Sequence, residues 1–548
     1  LNGMPAPGPA DTFDYVIVGA GSAGCVLANR LTANGRHSVL LLEAGGSDRR
    51  FFVQMPIGYG KCFHDARVNW RYRTEPEASL AGRAGYWPRG KVLGGSSAIN
   101  AMVFVRGQPQ DFDGWAALGN AGWAWCDVLP YFRRMEDCAR GASEWRGAGG
   151  PFATRFIDDE AHPLCGAFLR AGEEAGFRRN EDFNGATQEG VGYYEIAVRD
   201  GRRVSSASAY LDPARSRSNL AIVTDALVTR LGFEGARAAS VTYERGEATP
   251  TVRAAREVIV CAGAVASPAL LQCSGVGPAP LLQSLGIPVI RDAPAVGHHL
   301  QDHLCIDYLY RAKVPSLNEV LRPWHGKLRV GLRYLARREG PLAMSVNQAG
   351  GFVRSRTDVD RPDLQLYFSP LSYTRTPPGV RPLMTPDPFP GFLLSAQPCR
   401  PRSRGRIEAQ STDPRVPPRI VPGSLSDPAD LADLVAGARL LRRLASMPAL
   451  ASIIAEEMRP SAAVGDDDDA LAADIRARAS SVFHPTSTCR MGVDPRESVV
   501  DPRLRVHGIA GLRVVDASVF PSVTSGNTNA PVLMVAERAA DVVLADVH

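Results

Sequence analysis

The apolar positions change period twice within the first forty-five residues. Residues 15–18 form an unbroken apolar run ending at a glycine, the pattern of a strand buried on both faces. Residues 25–31 follow with Leu27 and Leu31 four apart, one face of a helix. Residues 38–42 are a second apolar run, closed by Glu43. Together they predict strand, helix and parallel partner strand, the start of an α/β fold. Further along, helices are predicted over 110–138, which holds Trp115, Trp123 and Trp125, and an amphipathic helix over 161–177. A glycine-rich loop and a strand fill 139–160. A helix start at 205–210 precedes strand patterns at 220–224, 227–233 and 239–243. Residues 258–261 read as another buried strand. Gly263 then turns, and Ser267 and Pro268 open a helix with proline in its first turn.

From 305 to 400 the pattern changes. Leu364, Leu366 and Phe368 alternate as in a strand, 343–353 is apolar, and 370–390 is proline-rich, which marks a candidate second domain. The acid run 466–469 reads as a solvated helix start. Near the end, a strand from 512 ends in Asp516. Asn527 and Asn529 are expected to cap a last helix, with Pro531 in its first turn. A chain of 548 residues exceeds one core, so two or more domains are expected.

The glycines between the first two strands carry chemistry. Gly19, Gly21 and Gly24 have G-x-G-x-x-G spacing, and Glu43 follows the last of them by 19 residues. Gly19 suits the tight turn, Gly21 the approach of a pyrophosphate, and Gly24 the packing of helix on strand. The helix start offers free N–H groups to phosphate, and Glu43 can bond ribose hydroxyls. This predicts dinucleotide binding and leaves NAD and FAD both open. Gly94 to Ser97 is a second small-residue loop, where backbone can approach a flat ligand. His298, His299 and His303 share one loop without helically spaced carboxylates, and are read as structural.

Charge and composition then exclude other classes. There are 62 basic and 57 acidic residues, and the basic ones are scattered, so nucleic acid is not a predicted partner. No apolar run reaches 18 residues, so no membrane-crossing helix is predicted. A peripheral membrane contact, where quinone would be met, is left open, and no amphipathic basic helix stands out to support it. The first dozen residues lack the pattern of a signal peptide and read as a disordered leader. Ten cysteines without a C-x-x-C pair fit a reduced, cytoplasmic setting, with the inner face of the membrane as an alternative, and no zinc spacing occurs.

Four blocks resemble the glucose–methanol–choline (GMC) oxidoreductases. They are GKVLGGSSAIN at 90–100, GAVASPALLQCSGVG at 263–277, HPTSTCRMG at 484–492 and SGNTNAP at 525–531. The chain is most similar to the family's bacterial alcohol dehydrogenases. The resemblance implies a Rossmann-like FAD-binding domain made of 11–160, 205–304 and 483–548. It also implies a discontinuous substrate-binding domain on an antiparallel sheet, made of 161–204 and 305–482.

FAD contacts follow from the same resemblance. Gly19, Gly21, Ser22, Ala23 and Gly24 would meet the dinucleotide, with Glu43 on the adenosine ribose and Ala44 beside it. Trp87, Arg89, Val92, Gly94, Gly95 and Ser96 would lie along the pyrophosphate and flavin ring, followed by Asn100, Ala101, Met102 and Val103. Val228 would meet adenine through its backbone, and Ala262 and Gly263 would deliver a second strand end. Asp516 and Ala517 would approach the pyrophosphate and ribityl chain. Asn529 and Pro531 would lie at the flavin's pyrimidine edge.

The implied catalytic pair is His484 and Asn527, with Asn527 also on the cofactor. The implied reaction oxidises a primary alcohol to an aldehyde by hydride transfer to flavin N5. His484 is the base, and quinone or another acceptor takes the electrons. An oxidase using O2, a non-redox hydroxynitrile-lyase-type enzyme and a light-driven decarboxylase are the alternatives. Some members attach FAD through a histidine, but Ile99 stands there, so FAD is expected to be non-covalent. Choline-acting members tend to carry a carboxylate where this chain has Gln348, which argues against choline.

Overall fold

The computed structural model describes residues 11–373, 385–461 and 463–546. Most of the expected leader, and 374–384 of the proline-rich segment, lie outside them. Thr12 already belongs to the first strand.

Two sheets organise the described residues. In the first, Thr12–Val18 lies between Val39–Leu42 and Thr251–Val260, parallel to both. Leu220–Val223 extends one side and Leu512–Val514 the other, also in parallel. The antiparallel strands Leu227–Glu234 and Arg237–Glu244 join the outer half of Thr251–Val260. The four-residue apolar runs are fully buried because helices cover them, as expected for parallel strands. Helix Ser22–Thr32 packs against the last helix, Asn529–Ala545. The buried Glu537 of that last helix accepts from Arg30 Nη2 at 2.7 Å, Arg134 Nε at 2.9 Å and the Tyr210 hydroxyl at 2.7 Å.

The second sheet is antiparallel. Its order is Ile454–Arg459, Leu304–Ala312, Gly391–Pro398, Leu364–Ser369, Ala349–Val353 and Gly190–Tyr193. Helices Pro163–Glu174 and Pro428–Ser446 cover one face. Leu364, Leu366 and Phe368 join their core, while Tyr367 and Ser369 turn to a cavity on the other face. The period of two therefore separates packing residues from site residues.

Three elements differ from expectation. The helix at Gly263–Cys273 starts before Ser267 and contains Pro268 internally. A proline there has no N–H for the Ala264 carbonyl, four residues back. The Thr488 hydroxyl donates to that carbonyl instead, at 2.7 Å. The turn at Ala207–Leu211 is a wide, π-type turn rather than a regular helix start. Lastly, Trp324–Arg337 is an amphipathic basic helix. Its period is blurred because Gly326, Val330 and Tyr334 make a buried stripe opposite a second, exposed leucine stripe.

Candidate active site

The turn after the first strand is shaped by close packing. A Cβ on Gly24 would lie 1.9 Å from the Gly19 carbonyl oxygen, so only glycine lets this helix sit on this turn. A Cβ on Gly95 would lie 2.7 Å from Gly21 Cα, which brings the 94–97 loop onto the same turn. Gly21 differs, because a Cβ there meets nothing nearer than the Cys261 carbonyl oxygen, at 3.9 Å. The open space beside it belongs to a cavity of about 710 Å³. No side chain caps the helix that begins at Ser22, so its N–H groups and positive end face that cavity. Glu43 closes the far strand. Its carboxylate accepts from the backbone N–H of Ala20 at 2.9 Å and of Gly45 at 2.8 Å. Burial raises its pKa to about 7 despite those bonds.

The same cavity is lined by His484, Asn527 and His303. His303 Nε2 lies 2.9 Å from the Cys399 carbonyl oxygen, and His303 Nδ1 lies 2.9 Å from His484 Nδ1. A carbonyl only accepts, so His303 carries its proton on Nε2 and offers a lone pair at Nδ1. His484 then donates from Nδ1, which leaves its Nε2 unprotonated, with a lone pair to accept. Asn527 Nδ2 is 3.3 Å from that Nε2.

An independent chain of bonds fixes the asparagine. The Tyr194 hydroxyl donates to the Leu366 carbonyl at 2.6 Å, so it accepts from Gln365 Nε2 at 3.2 Å. Gln365 Nε2 also donates to Asn527 Oδ1 at 3.2 Å, which turns the Asn527 NH2 toward the histidine. Both chains end on one arrangement: an N–H donor beside an imidazole lone pair.

Electrostatics keep that nitrogen unprotonated. Burial lowers the pKa of His484 well below the ordinary value, helped by His303 and Arg89. Burial also lowers His303 to about 4. Arg89 itself is tied to backbone, donating from Nη2 to the Phe483 carbonyl at 2.6 Å. Asp302 accepts from the backbone N–H of His484 at 2.7 Å and is raised to about 6 by burial.

The cavity wall includes most of the expected cofactor positions. Gly19, Gly21, Ser22, Ala23, Glu43 and Ala44 line it, as do Trp87, Arg89, Gly95 and Ser96. So do Asn100, Ala101, Met102, Val103 and Val228, with Ala262, Gly263, Asp516, Ala517 and Asn529. Four positions stand behind the wall. Gly24 lies beneath the helix, and Val92 is packed with Val53, Val68 and Ile99. Gly94 supports the loop through its N–H bond to the Ala20 carbonyl, and Pro531 lies inside the first turn of the last helix.

The capping expectation fails for both asparagines. Neither caps that helix, because Asn529 Oδ1 accepts from the Ser22 hydroxyl at 2.7 Å and Asn527 is held as described. The uncapped start of this helix faces the cavity at Thr528 and Asn529. Asp516 instead serves the helix at Gly263, accepting from the Gly263 N–H at 2.9 Å and the Ser267 hydroxyl at 2.6 Å.

Two further expectations are corrected. His303 was read as structural, yet it touches the His484 ring. Its signal lay in one loop, but its partner is 181 positions away. Gln348 does not face the cavity. Its Oε1 accepts from the His162 N–H at 2.8 Å behind the sheet, so its identity carries no argument about choline. Gln365 and Tyr194 gave no sequence signal at all.

The chain is similar to known proteins over nearly its full length. Residues 13–305 and 401–536 match the GMC oxidoreductase family. An alcohol dehydrogenase (acceptor) from Pseudomonas putida is 42% identical, covering 97% of this chain and 96% of that one. An oxygen-dependent choline dehydrogenase from Pseudomonas fluorescens is 44% identical over 96% of this chain and 93% of its own. The crystal structure of pyridoxine 4-oxidase from Mesorbium loti superposes with a TM-score of 0.86 at 32% identity, covering 96% of this chain and 98% of that one. The chain belongs to the GMC oxidoreductase family, whose members bind FAD. The open space at Gly21, the uncapped helix starts and the buried Glu43 fit that dinucleotide.

Proposed function

We propose that the protein oxidises a primary alcohol to the aldehyde and passes the electrons to quinone or another acceptor. The single observation that carries this is the unprotonated Nε2 of His484, which accepts from Asn527 Nδ2 at 3.3 Å. An alcohol is a poor hydride donor until its hydroxyl proton leaves. His484 Nε2 takes that proton, and Asn527 Nδ2 donates to the alcohol oxygen and holds it. His303 keeps the proton of His484 on Nδ1, so the base faces the substrate. Such a base contributes about two to four orders of magnitude. FAD, when bound, supplies the two-electron acceptor for the hydride of the carbinol carbon.

FAD is held without a covalent bond, since Ile99 stands at the first signature's attachment position. The preference for an alcohol and a separate acceptor follows the name of the Pseudomonas putida relative. The relatives named choline dehydrogenases are as similar, so the test includes choline. Stopped-flow bleaching of bound FAD by a panel of primary alcohols and choline reads the reaction directly. His484→Ala should retain FAD and bleach at least a hundredfold more slowly. Bleaching at the unaltered rate would remove the histidine from the reaction. Rapid reoxidation by air after anaerobic bleaching would favour an oxidase over a dehydrogenase.

A further inference from the structure

Helix Trp324–Arg337 buries only Gly326, Val330 and Tyr334, at four-residue spacing. At 100° per residue, Trp324, Leu328, Leu332 and Leu335 fall within an arc of about 80° on the opposite side. They are 75%, 53%, 59% and 59% exposed. Phe51 and Phe52, also exposed, lie beside the buried side of the helix, with the Phe51 ring 6.4 Å from that of Tyr334 and 5.4 Å from that of Phe52. Half of the exposed large hydrophobic residues among the described residues are thus on this helix or beside it. A patch this concentrated marks a contact surface.

The charge around the patch names the partner. Arg322, Lys327, Arg329, Arg333, Arg337 and Arg338 stand against one acid, Glu339, over residues 322–339. That surplus of five equals the surplus of the whole chain, so the rest is balanced. On the helical projection, Arg329 lies about 60° beyond one edge of the apolar arc and Lys327 about 60° beyond the other. A leucine and tryptophan stripe flanked by cations is the chemistry of a helix lying in the interface of an anionic bilayer. Two copies of this chain meeting through the same face would oppose like charges.

We propose that the Trp324–Arg337 face, with Phe51 and Phe52, docks the protein on an anionic lipid bilayer. The Tyr334 hydroxyl fixes the helix to the body by donating to the Gly201 carbonyl at 3.0 Å. The helix does not line the cavity, though the chain beyond it reaches the wall at Val346 and Asn347. Docking and chemistry are therefore separable, and this surface stands whether or not the alcohol reading does.

The test is sedimentation of the FAD-loaded full chain with large vesicles. One set contains phosphatidylglycerol and phosphatidylcholine in equal parts, and the other phosphatidylcholine alone. The protein is expected on the first, with roughly tenfold or greater preference, and to be released as salt is raised. Leu328→Glu with Leu332→Glu, and separately Lys327→Glu with Arg329→Glu, should each weaken binding by roughly tenfold or more. Dye-coupled activity and thermal midpoint should be unchanged in both. Absence of the unaltered protein from phosphatidylglycerol vesicles would overturn the proposal, as would binding by both variants equal to that of the unaltered protein. A concentration-dependent dimer abolished by the leucine variant, without vesicle binding, would assign the face to a second copy and overturn it too.

Discussion

Replacing His303 separates a catalytic imidazole from a merely buried one. In His303→Leu, the Nδ1–H of His484 loses its acceptor inside a buried pair. The ring then has no reason to keep its proton on Nδ1, and the Nε2 lone pair is no longer guaranteed. Leaving a buried donor unpaired costs about 1–3 kcal/mol, or roughly 5- to 150-fold in kcat/KM. In His303→Gln, an amide oxygen can accept from His484 while its NH2 donates to the Cys399 carbonyl, as the imidazole does. That variant should retain most of the activity.

The pH profile gives a second readout. Repulsion from His303 helps hold the His484 pKa down, so the leucine variant should move the acidic limb of kcat/KM to higher pH. FAD absorbance controls for loss of cofactor. Equal rates in the leucine and glutamine variants, or an unmoved acidic limb, would refute the tautomer argument.

Other outcomes follow from the same geometry. Gly21→Ala should fold normally but bind FAD about 5- to 150-fold more weakly, because its methyl enters the open space, at an overpacking cost of about 1–3 kcal/mol. Gly24→Ala should lower the thermal midpoint of the apoprotein itself, since its Cβ meets backbone at 1.9 Å; titrating FAD into each apoprotein distinguishes the two. The unfolded chain protonates His303 below about 6.5 and the folded chain only near 4, so this residue stabilises above 6.5 and its contribution falls with pH, by about 3 kcal/mol in total. Glu43 and Asp302, raised to about 7 and about 6, act in the opposite sense, so the effect is read as the difference between the pH–stability curves of the unaltered protein and His303→Gln. Acid precipitation should release all yellow colour into the supernatant; colour retained on the protein would show a covalent link.

Local physics was legible in the sequence, and long-range physics was not. The strand, the glycine turn, the helix and Glu43 are contiguous, and each residue type there answers one steric or electrostatic need. The alternation at Leu364, Leu366 and Phe368 likewise marks the covered face of the second sheet. His484 and Asn527 were found because their blocks resemble a family, not because their contact could be foreseen. The His303 contact spans 181 positions and the Gln365–Asn527 bond 162, beyond any periodicity. Asn527 and Asn529 looked like caps because asparagine caps helices well, but partners on distant strands and helices compete for the same atoms. Pro268 looked like a helix start because the Thr488 hydroxyl that relieves its missing N–H cannot be seen from nearby residues.

The hydrogen bond from Ser22 to Asn529 joins positions 507 apart, and Glu537 bolts the last helix to Arg30. On the ribosome, about 25–100 seconds separate the synthesis of these two ends at about 5–20 residues per second. Throughout that interval the first glycine turn is present, yet one wall of its binding site does not exist. Cofactor loading is therefore a late event in the life of the nascent chain, and a product cut short before the final helix would emerge colourless, however well its first half had folded.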